Sequence, residues 1–143
     1  MNAPLRPPPR EPVRHRISRA EYHALLAAET LPPDLDLELI DGEFIEMPAD
    51  GSRTIEWNMV VNRWLVQSLG PEYAIVPDKS LSLDDHNEPK PDFWIFDAAL
   101  KVEAVTGADV LLIIEIADTT LRLDLRKADI YARGGVREYW LLD

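Results

Sequence analysis

The chain has 143 residues, enough for one domain with an ordinary core, and 46% of them are apolar. It contains no cysteine, which excludes disulfides, a thiolate metal centre and a cysteine nucleophile. Its net charge of −11 argues against a general nucleic-acid binder with a broad basic face, although the first 20 residues carry five Arg against one Glu, a local balance of +4 that leaves −15 on the remainder.

The opening MNAPLRPPPREPVRHRI lacks the apolar stretch of a secretory signal, and its Pro and Arg content predicts a flexible arm over residues 1–17. No apolar run approaches the ~20 residues of a membrane span, so the expectation is a cytoplasmic protein with no membrane partner. Ser18 followed by Glu21 forms a capping box for a helix through AEYHALLAA, which Pro32-Pro33 ends. LDLELIDGEFIEM reads as two short strands joined by Asp41-Gly42, a two-residue hairpin signal. Ser52 is placed to cap a helix over RTIEWNMVVNRWLVQSL, with Ile55, Met59, Val60, Trp64 and Leu65 expected on its buried face. After Gly70-Pro71, YAIVP and KSLSLDD read as two strands or one bent strand, and DFWIFD as an aromatic strand. A looser AALKVEAVTGAD leads to VLLIIEIA, then a helix over LRLDLRKADIYAR closed by Gly134-Gly135, then the strand REYWLLD. The order from residue 52 is helix, strand, strand, strand, helix, strand, which predicts an α/β domain around a mixed sheet, preceded by a helix and a β-hairpin. The strand of Glu115, the helix after it and the strand of Tyr139 form a βαβ unit, with the apolar strand central and covered on both faces.

Within VLLIIEIAD a carboxylate, Glu115, interrupts the most apolar run of the chain. An ionised carboxylate in such a setting needs a proton, a cation or a partner. Glu115 lies near the carboxyl end of its strand, where ligands of open α/β sheets tend to sit. One strand earlier, Pro91-Asp92 opens DFWIFD with a restrained backbone. If the two strands are neighbours, Asp92 and Glu115 direct two acids at one spot, and a divalent ion such as Mg²⁺ would offset their repulsion. On the next helix Leu123, Lys127 and Tyr131 share a face, which aims Lys127 inward, and Glu38 is a candidate fourth group.

Blander readings stand beside these. Glu115 could be an acid paired with Arg or Lys, Asp92 a turn acid, Lys127 a solvated lysine and Glu38 an exposed strand residue. Asp124, three residues before Lys127, could form a simple helix-face pair with it. His15, His23 and His86 show no ligand spacing, and the four Trp residues are read as core packing.

ELIDGEFIEM, EPKPDFWIF, VLLIIEIAD and RKADIYARGGVREYWLLD resemble the Uma-two family, described as restriction endonucleases and part of the PD-(D/E)xK nuclease superfamily. The resemblance runs from about Leu37 onward. It implies a restriction-endonuclease-like αβββαβ core, an Mg²⁺- or Mn²⁺-dependent endonuclease activity on DNA, and a homodimer. It assigns Asp92 and Glu115 as metal-binding acids, adds the backbone carbonyl of Ile116 as a metal ligand, and matches Glu38 to the acid of the family's ELIDGE segment. Three departures accompany it. The superfamily lysine position, two residues after the acid, holds Ala117, and the lysine is moved to the next helix as Lys127. The single domain expected over 18–143 ends sooner than the family usually does, and the loop GSRTIE lacks a histidine that relatives often carry. Two other functions stay open on the sequence: a catalytically inactive binding or assembly module of the same fold, and an acidic α/β protein-interaction domain.

Overall fold

The structure is a computed structural model and describes residues 11–117 and 120–143. The first ten residues of the predicted arm, and Asp118 and Thr119, lie outside the described residues. Of the rest of the arm, Arg14 pairs with Glu43 at 2.6 Å and the Ile17 N–H donates to the Gly42 carbonyl at 2.9 Å.

Helix α1 (Arg19–Ala27) begins at the predicted capping box, with Ser18 Oγ accepting from the Glu21 N–H and the Glu21 carboxylate accepting from the Ser18 N–H. The hairpin β1 (Leu37–Ile40) and β2 (Glu43–Glu46) turns at Asp41 and Gly42, whose φ values of 51° and 76° are both positive, as a type I′ turn requires. A Cβ on Gly42 would also lie 2.7 Å from Arg16 Cβ. Gly42→Ala is therefore expected to destabilise the fold by about 1–2 kcal/mol, seen as a lower urea midpoint at unchanged m-value.

Helix α2 (Ser52–Ser68) forms as expected, but two details differ. Its N-cap is Gly51, without a side-chain cap, and Ser52 is already the first helical residue. Its buried strip is Thr54, Val61 and Leu65, while Ile55, Met59, Val60 and Trp64 are each about half exposed or more. The 55/59 and 60/64 pairs have helical spacing but lie on opposite flanks of the strip that meets the sheet.

The sheet has the order β3-β4-β5-β6, formed by Tyr73–Pro77, Phe93–Asp97, Val110–Ile116 and Glu138–Leu142. The first two pairings are antiparallel; β5 and β6 are parallel and joined through α3 (Leu121–Arg133), which is the predicted βαβ unit. The chain is thus a mixed α/β domain with the restriction-endonuclease-like αβββαβ core. KSLSLDD forms no strand among the described residues. The return segment contains Pro89 and Pro91, which have no N–H to donate to a ladder. Leu81 and Leu83 instead make single backbone bonds to Pro89 and Asn87.

Alternation along the two central strands builds two cores. Phe93, Ile95, Ile114 and Ile116 pack with Val61 and Leu65 of α2, whereas Trp94, Phe96 and Ile113 pack with Leu81 and with Tyr131 of α3. Of the four Trp residues only Trp94 is buried; Trp57, Trp64 and Trp140 are partly exposed, the last two with ring centroids 6.0 Å apart. No helix among the described residues is long and apolar enough to cross a membrane.

Candidate active site

The alternation that makes the two cores also builds the site. Phe93 pairs with Ile114, so the next residues outward, Asp92 and Glu115, are opposite each other at the end of the β4/β5 ladder. Residues 113 and 115 of β5 share the face that looks at α3. Each acid is fastened by the backbone of the other's strand: Asp92 Oδ2 accepts from the Ile116 N–H at 2.7 Å, and Glu115 Oε2 accepts weakly from the Asp92 N–H at 3.4 Å.

Glu115 is 4% exposed, and its carboxylate is held from α3. Tyr131 OH donates to Oε1 at 2.7 Å, and Lys127 Nζ donates to the same oxygen at 3.1 Å. Lys127 is itself 1% exposed and bridges to the hairpin, where Glu38 Oε1 accepts from it at 3.1 Å. Glu38 Oε2 lies 2.9 Å from the same ammonium but has no aligned donor, so it is buried with an ion pair and no directed hydrogen bond. Asp124 Oδ1 is 3.8 Å from Lys127, and its other oxygen accepts from Thr120 Oγ1 at 2.6 Å. The structure therefore brings Glu38, Asp92, Glu115, Ile116 and Lys127 to one place, lining a cavity of about 290 Å³ at the mouth of the α/β core.

Three residues of this arrangement were not singled out from the sequence as site residues. Tyr131 shares the Lys127 face, and a buried phenol needs a hydrogen-bond partner, which was a usable signal. Asp124 was visible as an i,i+3 partner of Lys127. Asn58, whose Nδ2 lies 3.5 Å from Asp92 Oδ1, gave no signal, because helix spacing alone does not say which polar residue meets a strand end.

Three buried carboxyl groups and the half-buried Asp92 face one ammonium. Burial pushes Glu115 up to about 8, against the pull of Lys127 and with the added push of Asp92. Burial also raises Asp92, opposed by the Ile116 N–H, and raises Glu38, opposed by Lys127. Burial alone would lower Lys127, but the carboxylates of Glu115 and Glu38 outweigh it and hold the lysine above its ordinary value. The cluster has surplus negative charge, which a proton on Glu115 or a bound cation relieves.

The donor set fits a small divalent cation. Each acid has one oxygen with a short hydrogen bond and a second with only a long contact: Glu115 Oε2 at 3.4 Å and Asp92 Oδ1 at 3.5 Å. Among the described residues no three His, Asp or Glu side chains converge as a ready-made metal cage. Two carboxylates with water and a substrate phosphate completing the shell is the pattern Mg²⁺ uses.

The αβββαβ core, with two acids and a lysine gathered where β4 begins and β5 ends, defines the architecture of a restriction-endonuclease-like domain. The sequence profile of the Uma2 family, described as "Putative restriction endonuclease", matches residues 19–143, and the chain belongs to that family. No curated protein matches the chain. Restriction-endonuclease-like families generally use divalent metals, and the family description supports nuclease activity.

The raised Glu115 has a measurable consequence. In the metal-free protein its folded value of about 8 lies above its ordinary 4.5, so the folded state binds the extra proton between those limits. Stability from this group is complete below pH 4.5 and is lost as pH rises toward about 8, by an amount on the order of a few kcal/mol. The melting temperature in EDTA is expected to fall between pH 5.5 and 8, with the slope flattened in Glu115→Gln. A cation held by Glu115 would compete with that proton, so Mn²⁺ would then restore more stability at pH 8 than at pH 5.5; equal stabilisation at both pH values would contradict a metal held there.

Proposed function

We propose that this protein is a divalent-metal-dependent endonuclease that hydrolyses phosphodiester bonds in DNA, with Asp92 and Glu115 at the reactive centre. The observation that carries this reading is the reciprocal fastening of the two acids at the β4/β5 strand ends, with their less-engaged oxygens in residues that line one cavity. Asp92 and Glu115, with the Ile116 carbonyl, would hold Mg²⁺ or Mn²⁺. Bound there, the ion supplies Lewis-acid polarisation of a phosphoryl oxygen and lowers the pKa of an attacking water.

The chain's own residues do the rest. Tyr131 and Lys127 fix Glu115 Oε1, which leaves Oε2 as its less-engaged oxygen. The Ile116 N–H does the same for Asp92 through Oδ2. Lys127 also draws Glu38 into the cluster, so the hairpin is tied to the sheet at the reactive end. Its ammonium offsets carboxylate charge that would otherwise repel a phosphodiester. A cation between the acids also explains how a protein of net charge −11 approaches DNA. Cutting both strands of a duplex needs two such centres, so a cytoplasmic homodimer is part of the proposal, and light scattering measures it against the 16.3 kDa protomer.

The test is nicking of supercoiled plasmid with Mg²⁺ or Mn²⁺, and its absence with EDTA. A second reading, a catalytically inactive module of the same fold, draws on one observation: Lys127 is fully committed to carboxylates. Calorimetric titration with Mn²⁺ separates the two, since a folded sample that takes up no metal supports the inactive module.

A further inference from the structure

Two lysines line the cavity, and they are held very differently. Lys127 is 1% exposed and sits on the floor among Glu38, Glu115 and Asp124. Lys90 has a side chain that is 25% exposed. It lies in Pro89-Lys90-Pro91-Asp92, where two prolines restrict the backbone and the residue before each proline is driven to an extended conformation. In extended chain, alternate residues project to the same side, so Lys90 follows the side taken by Asp92, and both line the cavity.

The Lys90 ammonium is engaged by acids from two other parts of the chain. It donates to Asp36 Oδ1 at 2.7 Å and to Oδ2 at 2.8 Å, and lies 3.4 Å from Asp78 Oδ1. Asp36 leads into β1 and Asp78 follows β3, so the cluster lies where the hairpin meets the sheet, and both acids line the cavity. Asp50 lines it too, and the carboxylates of Asp78 and Asp36 act on it from nearby. One ammonium among three carboxylates is a locally negative site, unfavourable to a phosphodiester unless the lysine changes partner.

We propose that Lys90 is the phosphate-binding residue of this cavity, and that Asp36 and Asp78 hold it in a self-inhibited ion cluster that the substrate's phosphate displaces. This inference rests on the nuclease reading of the same cavity. Partner exchange is feasible because a partly exposed ion pair is weakly held, whereas a phosphate oxygen is a strong acceptor for an ammonium. The spacing also fits the chemistry. Lys90 and Asp92 are two residues apart, so a phosphate held by the lysine lies beside the acids that act on its neighbouring bond.

The experiment uses a short fluorescent DNA duplex, with binding read by anisotropy with Ca²⁺ in place of Mg²⁺, and nicking kinetics read separately with Mg²⁺. Lys90→Gln is expected to weaken binding about tenfold, to place the loss in KM rather than kcat, and to lower the salt slope by about one. Lys90→Arg should retain most of the binding. Asp36→Asn releases the ammonium and is expected to tighten binding about threefold. In the Lys90→Gln background that gain should vanish. A merely structural ion pair would move both single variants the same way, to lower melting temperature and weaker binding, so opposite signs on affinity are the deciding readout. Lys90→Gln binding like the wild type, while Asp92→Ala and Glu115→Ala abolish nicking, overturns this assignment and leaves the nuclease reading standing. Weaker binding by Asp36→Asn overturns the self-inhibition. A wild-type protein that neither binds nor nicks DNA overturns both readings.

Discussion

Asp92→Asn and Glu115→Gln are each expected to lower the rate of Mg²⁺-dependent plasmid nicking by about 10²–10³-fold, the scale of removing a group that stabilises charge at the reacting centre. Both substitutions keep shape and the short hydrogen bonds, giving up only the long contacts at Glu115 Oε2 and Asp92 Oδ1. An Asn side chain still accepts from the Ile116 N–H that holds Asp92 Oδ2, and a Gln carbonyl still accepts from Tyr131 and Lys127. What each loses is the negative charge that would hold a divalent ion. The two changes should differ in stability. Glu115 is buried, with its proton affinity raised to about 8, so at pH 8 the wild type must either ionise it in a buried cluster already rich in carboxylates or keep a proton on it. Glu115→Gln removes that demand and is expected to melt no lower than the wild type at pH 8, while its nicking collapses. Asp92 is less buried, and its replacement should change stability little. Loss of activity without loss of fold marks a residue retained for chemistry rather than packing. Nicking by both variants within tenfold of the wild type would remove the two acids from the reaction.

Much of this arrangement was legible because local signals agreed with the tertiary answer. The Ser18/Glu21 capping box, the Asp41-Gly42 turn and the Gly134 helix end each specify backbone geometry within a few residues. Glu115 was legible for the opposite reason, since a carboxylate within VLLIIEIAD breaks the pattern of its own strand, and such violations concentrate at functional sites. Once β4 and β5 were neighbours, period-2 alternation placed Asp92 beside it. The failures share a cause as well. The buried strip of α2 is Thr54, Val61 and Leu65, narrower than its apolar content, because only one line of the helix meets the sheet and the Trp57 and Trp64 flanks remain exposed. KSLSLDD alternates like a strand, but the partner it would need is broken by Pro89 and Pro91. Asp36, Asp50 and Asp78 are scattered along the chain, and only the meeting of hairpin and sheet gathers them around Lys90.

Lys127→Met is expected to produce the largest loss of stability of any single change considered, about 3–5 kcal/mol at pH 8, because it leaves Glu38 and Glu115 buried without their cation. The size of the loss should depend on pH in a fixed direction. With the ammonium gone, the main opposition to burial is lost, leaving the Tyr131 hydroxyl at Glu115 and the Lys90 backbone at Glu38, and the folded-state affinity of both acids for protons rises further above its ordinary value. A carboxyl group raised on folding contributes stability that is present below its unfolded pKa and is lost as pH rises through its folded pKa. Lys127→Met should therefore lie closer to the wild type at pH 5 than at pH 8, as read from urea midpoints at the two values. Adding Glu38→Gln should recover part of the loss, because it removes one of the two stranded charges and the pair is coupled through the same ammonium. Nicking by Lys127→Met should fall as well, since Glu115 Oε1 then keeps only Tyr131 as a donor and the hairpin loses its tie to the sheet. Equal destabilisation at both pH values, or strict additivity of the two substitutions, would show that Lys127 holds the site by packing and not by charge.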